Sequence, residues 1–236
     1  MIYGVLLGAG MGTRLNGGTL PKQFLNIGGT SVLRLTLEKF LLCPDIDRIV
    51  AAVPEGWVDH AADLLRNVGS NVDICPGGKD RQESLYCALK FIERTYGLHE
   101  NDIAVSHDAA RPFVTLRIIE ENIALCREHG ATDTVVPASD TLVLSEDGCL
   151  ISAMPPRRHA YQGQTPQSFH IARFLSLYES LSPEYLASLT DVARLFMENG
   201  ETVTLVKGEI FNIKITTEHD LRFAEYMIER GTERHA

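Results

Sequence analysis

The chain has 236 residues, 44% of them hydrophobic and 22% charged, with a formal net charge of −9. That balance fits one sizeable soluble α/β domain, with two small ones as the alternative, and argues against broad binding to nucleic acid or to an anionic membrane. Five cysteines (Cys43, Cys75, Cys87, Cys126, Cys149) form no metal-type pairs, no secretory segment precedes the first apolar run, and no run is long enough to span a bilayer, so a cytoplasmic protein with reduced thiols is expected.

Ile2-Tyr3-Gly4-Val5-Leu6-Leu7 reads as a buried first strand, and it runs into Gly8-Ala9-Gly10-Met11-Gly12-Thr13-Arg14, with Lys22 eight residues further on. Alternating glycines leave backbone N–H groups open to a polyphosphate, and Arg14 and Lys22 add a forked and a compact cation. The loop is not the dinucleotide fingerprint: position 13 is Thr, and residues 26–36 lack the acid expected roughly 20 residues downstream. Nor is it a P-loop, because Gly78-Lys79-Asp80 carries no hydroxyl after the lysine.

Apolar periodicity then predicts a helix over 32–42, a strand over 49–53, a helix over 57–67 and a short strand over 72–75 leading into Pro76-Gly77-Gly78. A helix over 82–94 shows Leu85, Leu89 and Ile92 on one face, and Ile103-Ala104-Val105 is a strand ending in Ser106-His107-Asp108. A helix over 116–129 and a strand over 134–138 follow. Residues 139–159 interrupt this rhythm, with Thr141-Leu142-Val143-Leu144 and Leu150-Ile151-Ser152 flanking Glu146-Asp147-Gly148 as a hairpin would. Such a hairpin is an interaction arm or a surface excursion without a partner. Beyond it come helices over 171–181 and 189–199, strands over 202–207 and 212–215, and a last helix from Glu218, with Thr217 as N-cap and Asp220 at the third helical position. The expected architecture is a three-layer, Rossmann-like α/β fold with a mainly parallel sheet, one domain spanning 1–236 with 139–159 as an arm. Such folds bind ligands at the carboxyl ends of their strands.

Chemistry-bearing clusters fall at those ends. Gly77-Gly78-Lys79-Asp80-Arg81-Gln82-Glu83-Ser84 opens a helix and reads either as a nucleotide contact or as a turn with an Asp N-cap. In His107-Asp108-Ala109-Ala110-Arg111-Pro112, Asp108 suits a single-carboxylate magnesium ligand, with an Asp108–Arg111 ion pair as the structural alternative and His107 as a packed residue. Arg157-Arg158-His159 and the polar run Tyr161–Gln167 suit a phosphorylated polyol, as would a solvated loop. Lys214, in the apolar run Asn212-Ile213-Lys214-Ile215, needs either an anion or exposure at a sheet edge.

Taken together, Leu7-Gly8-Ala9-Gly10, Arg14, Pro21-Lys22-Gln23-Phe24, Asp80-Arg81 with Ser84, His107 to Pro112, Thr165-Pro166-Gln167, Thr190-Asp191 and Asn212 to Thr216 resemble the sugar-alcohol-phosphate cytidylyltransferases. The resemblance runs from the first strand to the last helix. Of its two branches, one makes CDP-methylerythritol for isoprenoids and the other makes CDP-ribitol for teichoic-acid-type polymers. The runs Tyr161–Gln167, Glu55-Gly56-Trp57-Val58-Asp59-His60 and Lys207 to Thr217 are more similar to the ribitol branch. Gly8-Ala9 departs from the family's usual Ala-Gly or Ala-Ala.

The resemblance implies that Arg14, Lys22, Arg157 and Lys214 are the catalytic cations, and that Asp108 holds Mg2+. It further implies that Leu7, Gly8, Ala9, Gly10, Gly12, Thr13, Gly78, Asp80, Arg81 and Ser84 bind CTP. Arg111, Thr141, Thr165 and Thr190 would meet the acceptor, ribitol 5-phosphate or, alternatively, 2-C-methyl-D-erythritol 4-phosphate. A homodimer is implied in which the arm carries Thr141 and Arg157 into the partner's site. The alternative of a different class is a catalytically inactive nucleotide-binding module.

Overall fold

The computed structural model describes residues 1–10, 20–189 and 191–233. In chain order the strands are β1 (Ile2–Leu7), a short antiparallel pair β2 (Asn26–Ile27) and β3 (Thr30–Ser31), β4 (Arg48–Val53), β5 (Val72–Pro76), β6 (Ile103–Asp108), β7 (Ala131–Pro137), β8 (Tyr161–His170) and β9 (Thr204–Lys207). The helices are α1 (Val32–Leu41), α2 (Val58–Leu65), α3 (Arg81–Tyr96), α4 (Leu116–His129), α5 (Ile171–Glu179), α6 (Pro183–Ser188), α7 (Val192–Glu198) and α8 (Glu218–Glu233). Seven strands form one sheet in the order β5-β4-β1-β6-β8-β7-β9, parallel throughout except for β8.

Because side chains alternate along a strand, β1 feeds two cores. Tyr3, Val5 and Leu7 join Leu85, Leu89 and Ile92 of α3, Phe174 of α5 and Phe196 of α7 on one face. Ile2 and Leu6 join Leu37 and Phe40 of α1, Leu65 of α2 and Ile119 of α4 on the other. A strand buried on both faces reads as the continuous apolar run seen in the sequence. A third, smaller cluster sets Ile215 against Ile27, Val32 and Ala224 of α8. The expected cap of α8 forms reciprocally: the Asp220 N–H donates to Thr217 Oγ1 at 3.3 Å, and the Thr217 N–H donates to Asp220 Oδ2 at 2.8 Å. No helix among the described residues is long and apolar enough to cross a membrane.

Four sequence expectations are corrected. Residues 161–170 form β8, which hydrophobic periodicity misses because its buried inner half is polar: Gln164, Thr165, Gln167 and Ser168 are all buried. Residues 212–215 are not a strand; the Ile215 N–H donates to Ala110 O at 2.9 Å, but no ladder follows. Of the expected 189–199 helix only Val192–Glu198 is helical, as α7, and the short helix α6, which the sequence reading missed, ends before that range at Ser188. The arm keeps its turn, with Asp147 Oδ1 accepting from the N–H groups of Cys149 and Leu150 at 2.8 Å each, but its flanks meet only in the isolated bridge Leu144–Ala153.

Candidate active site

Parallel pairing sets Leu7 beside Asp108, so the loops leaving β1 and β6 start side by side at the carboxyl edge. The turn after β5 lies against the first of them. A Cβ on Gly77 would stand 2.4 Å from that of Ala9 and 3.0 Å from Ser84 Oγ, so only glycine allows this approach. Asp80 caps α3 by accepting from the Glu83 N–H at 2.8 Å, and Ser84 Oγ accepts from the Gly78 N–H at 3.1 Å. On the opposite side, the buried Gln23 amide donates to Gly8 O, fixing the short helical turn that carries Lys22. Phe24 of this turn stacks on Trp57 at 5.2 Å, with the His60 ring edge-on to both. Lys22 Nζ donates to Ile215 O at 3.0 Å. The result is a cleft of about 250 Å³ with Lys22, Arg81, Asp108 and Lys214 among its walls.

Asp108, 5% exposed, is the hub of the cleft's floor. Its Oδ1 accepts from Arg81 Nε at 3.1 Å, while Oδ2 meets Lys214 Nζ at 2.9 Å and Arg111 Nε at 3.4 Å. Burial alone would push this carboxyl up, but the charges of Arg81, Lys214 and Arg111 outweigh it and hold the group well below the usual carboxylate range. Three cations on one carboxylate leave a local positive excess, which is what a polyanionic ligand requires.

A buried polar layer supports the hub from behind. The Asp108 N–H donates to Thr165 Oγ1 at 3.1 Å, and that hydroxyl lies 2.9 Å from His107 Nδ1. His107 Nε2 lies 3.0 Å from Arg111 O, a pure acceptor, so Nε2 bears the proton and Nδ1 accepts from Thr165. Burial lowers His107 to about 4, keeping the ring neutral. Asn212, wholly buried, donates from Nδ2 to Thr165 O at 2.9 Å, and its own carbonyl accepts from Arg111 Nη1 at 2.8 Å. These bonds, with Ile215 in its apolar cluster, aim Lys214 without a strand to hold it.

The expected site residues separate into three groups. Leu7, Gly8, Ala9, Gly10, Lys22, Gly78, Asp80, Arg81, Ser84, Asp108 and Lys214 all border the cleft, and Arg111 reaches it through Asp108. Thr165 sits behind the floor with its hydroxyl engaged, while Thr141 and Arg157 lie exposed on the arm, Arg157 Nη1 donating to Ser139 O at 3.2 Å. Gly12, Thr13, Arg14 and Thr190 lie outside the described residues. The sequence reading named Gln23, Gln167 and Asn212 only as members of motifs, with no role of their own, and did not single out Asp133. For Asp133 and Gln167 the available signal was polar residues inside strands that must be buried.

The IspD family model, 2-C-methyl-D-erythritol 4-phosphate cytidylyltransferase, matches residues 2–230. Among solved structures, the 4-diphosphocytidyl-2C-methyl-D-erythritol synthase of Anaerococcus prevotii superposes with a TM-score of 0.81 at 29% identity, covering 97% of this chain and 96% of that one. The 2-C-methyl-D-erythritol 4-phosphate cytidylyltransferase of Francisella tularensis gives 0.80 at 27% identity over 95% and 98%. The corresponding enzyme of Thermus thermophilus gives 0.72 at 28% identity over 97% and 100%.

Proposed function

From the premise that the chain belongs to the IspD family of cytidylyltransferases and is a nucleotidyltransferase, we propose that it transfers CMP from CTP to the phosphate of a sugar alcohol, with ribitol 5-phosphate as the acceptor. The observation that carries the transfer chemistry is the cleft bordered by Lys22, Arg81 and Lys214, whose charge one buried carboxylate only partly offsets. An oxygen of the acceptor phosphate attacks the α-phosphorus of CTP; the new P–O bond forms as the bond to the β-phosphate oxygen breaks, and pyrophosphate leaves with that electron pair. The nucleophile is already anionic at neutral pH, so no general base is needed. Catalysis consists of bringing two polyanions together and offsetting the charge at the five-coordinate phosphorus. Lys22 and Lys214 both line the cleft, and Lys22 is tied through the Ile215 carbonyl to the segment that carries Lys214.

A divalent ion is expected of this family, and Asp108 is the acid the sequence offers for it. Both of its oxygens are already taken by cations, and Asp80 is engaged in capping α3, so these residues do not fit a metal bound to protein carboxylates. No step here runs through one.

The ribitol assignment rests on the runs Tyr161–Gln167 and Lys207 to Thr217. The second reading, 2-C-methyl-D-erythritol 4-phosphate, is favoured by the names of the family model and of the solved structures above. Pyrophosphate release measured with CTP, magnesium and each acceptor in turn decides between them. A higher kcat/KM for ribitol 5-phosphate is expected. A preference for the methylerythritol phosphate would overturn the acceptor, and no release with either would overturn the transfer.

A further inference from the structure

Beneath Arg81, Gln167 stands between a cation and two acids. It is 1% exposed. Its Nε2 donates to Asp133 Oδ1 at 2.9 Å and to Asp191 Oδ1 at 2.8 Å, while its Oε1 accepts from Arg81 Nη2 at 3.2 Å. A carboxamide has two donors at one end and an acceptor at the other. With anions on one side and a guanidinium on the other, only one of its two orientations is satisfied, and turning it over would set oxygen against two carboxylates. Oε1 is therefore held toward Arg81.

That guanidinium gains two supports on different sides, Asp108 at Nε and Gln167 at Nη2, and Nη1 is buried without a partner among the described residues. One support would leave a planar fork free to swing about a single bond; two fix its plane. The supports come from separate elements: Asp133 from β7, Gln167 from β8, and Asp191 from the cap of α7, where it also accepts from the Ala193 N–H at 2.8 Å.

We propose that Gln167 is a positioning residue for the transfer reaction, clamping Arg81 against the Asp133–Asp191 pair and so setting the plane in which that guanidinium faces the cleft. The inference rests on the reading of the cleft as the CTP site. The acid pair gives it a signature. Burial pushes Asp133 up to about 6; the Gln167 bond and the charges of Arg81 and Arg111 pull it down, while Asp191 pushes it up. A glutamate at 167 would keep the shape and an oxygen for Arg81 but turn a third acceptor toward the two acids. Only added protons could then replace the missing donors.

Gln167→Leu and Gln167→Glu separate a clamp from a filler. The measurements are kcat and KM for CTP from about pH 6 to pH 8.5, melting temperature, and exchange of the Arg81 Nε–H by ¹⁵N NMR, assigned with Arg81→Lys. For Q167L we expect kcat/KM for CTP to fall about tenfold or more at every pH, as misplacing a binding group does, with faster exchange of the Arg81 Nε–H. Q167E should match Q167L near pH 8 and recover toward wild type as the pH falls to about 6, in activity and in exchange alike. Losses that merely follow the folded fraction, with pH profiles parallel to wild type, would overturn the proposal, and so would unchanged exchange. If the wild-type protein released no pyrophosphate from CTP with either acceptor, the CTP reading would fall and with it the catalytic part of the inference. The exchange measurement would still decide the clamp.

Discussion

Around Asp108, three cationic side chains meet within hydrogen-bonding or ion-pair distance on a floor braced from behind by Thr165, His107 and Asn212. The arm is built the other way: Leu150 is 73% exposed, Ile151 62% and Met154 58%, and one isolated bridge joins its two flanks. The cleft is therefore organised by the chain's own contacts, whereas the arm carries apolar surface that its own chain does not cover. A two-stranded element standing alone is marginal in water, and a contiguous exposed apolar patch marks an interaction surface. We propose a second copy of the chain as its cover, which would bring Arg157 and Thr141 to a site they do not reach in their own chain.

The largest expected effect breaks the cleft's side of this contrast. Asp108→Asn leaves Arg81, Arg111 and Lys214 facing a neutral amide, and removing one partner of a buried ion cluster costs about 3–5 kcal/mol. The melting temperature should fall by roughly 10 °C. Because the folded-state pKa of Asp108 is depressed, its contribution is fully present above the unfolded carboxylate pKa and is lost as pH falls through that range toward the folded value. Wild type and mutant should therefore converge in stability only in strong acid. Titrating activity against magnesium tests the other role: an unshifted requirement is expected of an ion-pair hub, and a weakened one would restore Asp108 as a metal ligand.

Lys22→Ala should come next, with turnover down roughly 100-fold, or about 3 kcal/mol, for loss of a cation at the transition-state phosphates. Its stability cost should be smaller than that loss, the hydrogen bond to Ile215 O being worth about 1 kcal/mol. Steady-state kinetics beside a melting curve reads both, and near-wild-type turnover would remove Lys22 from the chemistry.

The arm's side is sharpened by mixing Lys22→Ala with Arg157→Ala. If Arg157 serves the partner's site, subunit exchange rebuilds one intact site per heterodimer and restores up to about a quarter of wild-type activity. With both variants inactive on their own, verified exchange with no recovery would rule out the trans assignment of Arg157.

The smallest effect concerns Asp133. Its folded pKa near 6 lies above the ordinary carboxylate value, so the native state binds a proton that the unfolded chain does not between about pH 6 and 4. On this group's account alone, stability rises as pH falls through that window. Asp133→Asn should abolish that gain, about 1 kcal/mol after allowance for partial exposure. Denaturant melts at several pH values would show it, and parallel curves for the two proteins would reject it.

Much of both regions was legible in the chain. Short apolar runs marked β1, β4 and β6, since strands buried on both faces need unbroken apolar sequence. Gly8, Gly78 and Asp108 fall at or just past the ends of β1, β5 and β6, where ligands bind in such folds. The turn at Asp147-Gly148 was readable because its hydrogen bonds are local. The arm's ladder was not, because pairing depends on whatever packs over it. β8 escaped because a strand can bury glutamine and threonine when partners from β7 and the 209–212 segment receive them, and hydrophobic periodicity carries no trace of those partners.

Sequence alone thus determined most of the apolar strands and helices, the loop chemistry and the cations available, because each depends on neighbours a few residues away. Only the tertiary structure decided that Arg81, Arg111 and Lys214, spread over more than a hundred residues, share one carboxylate. It alone made Gln167 the spacer between that cluster and two acids. Charge partners far apart in sequence are chosen by which strand ends the sheet order sets side by side, and no local pattern encodes that order.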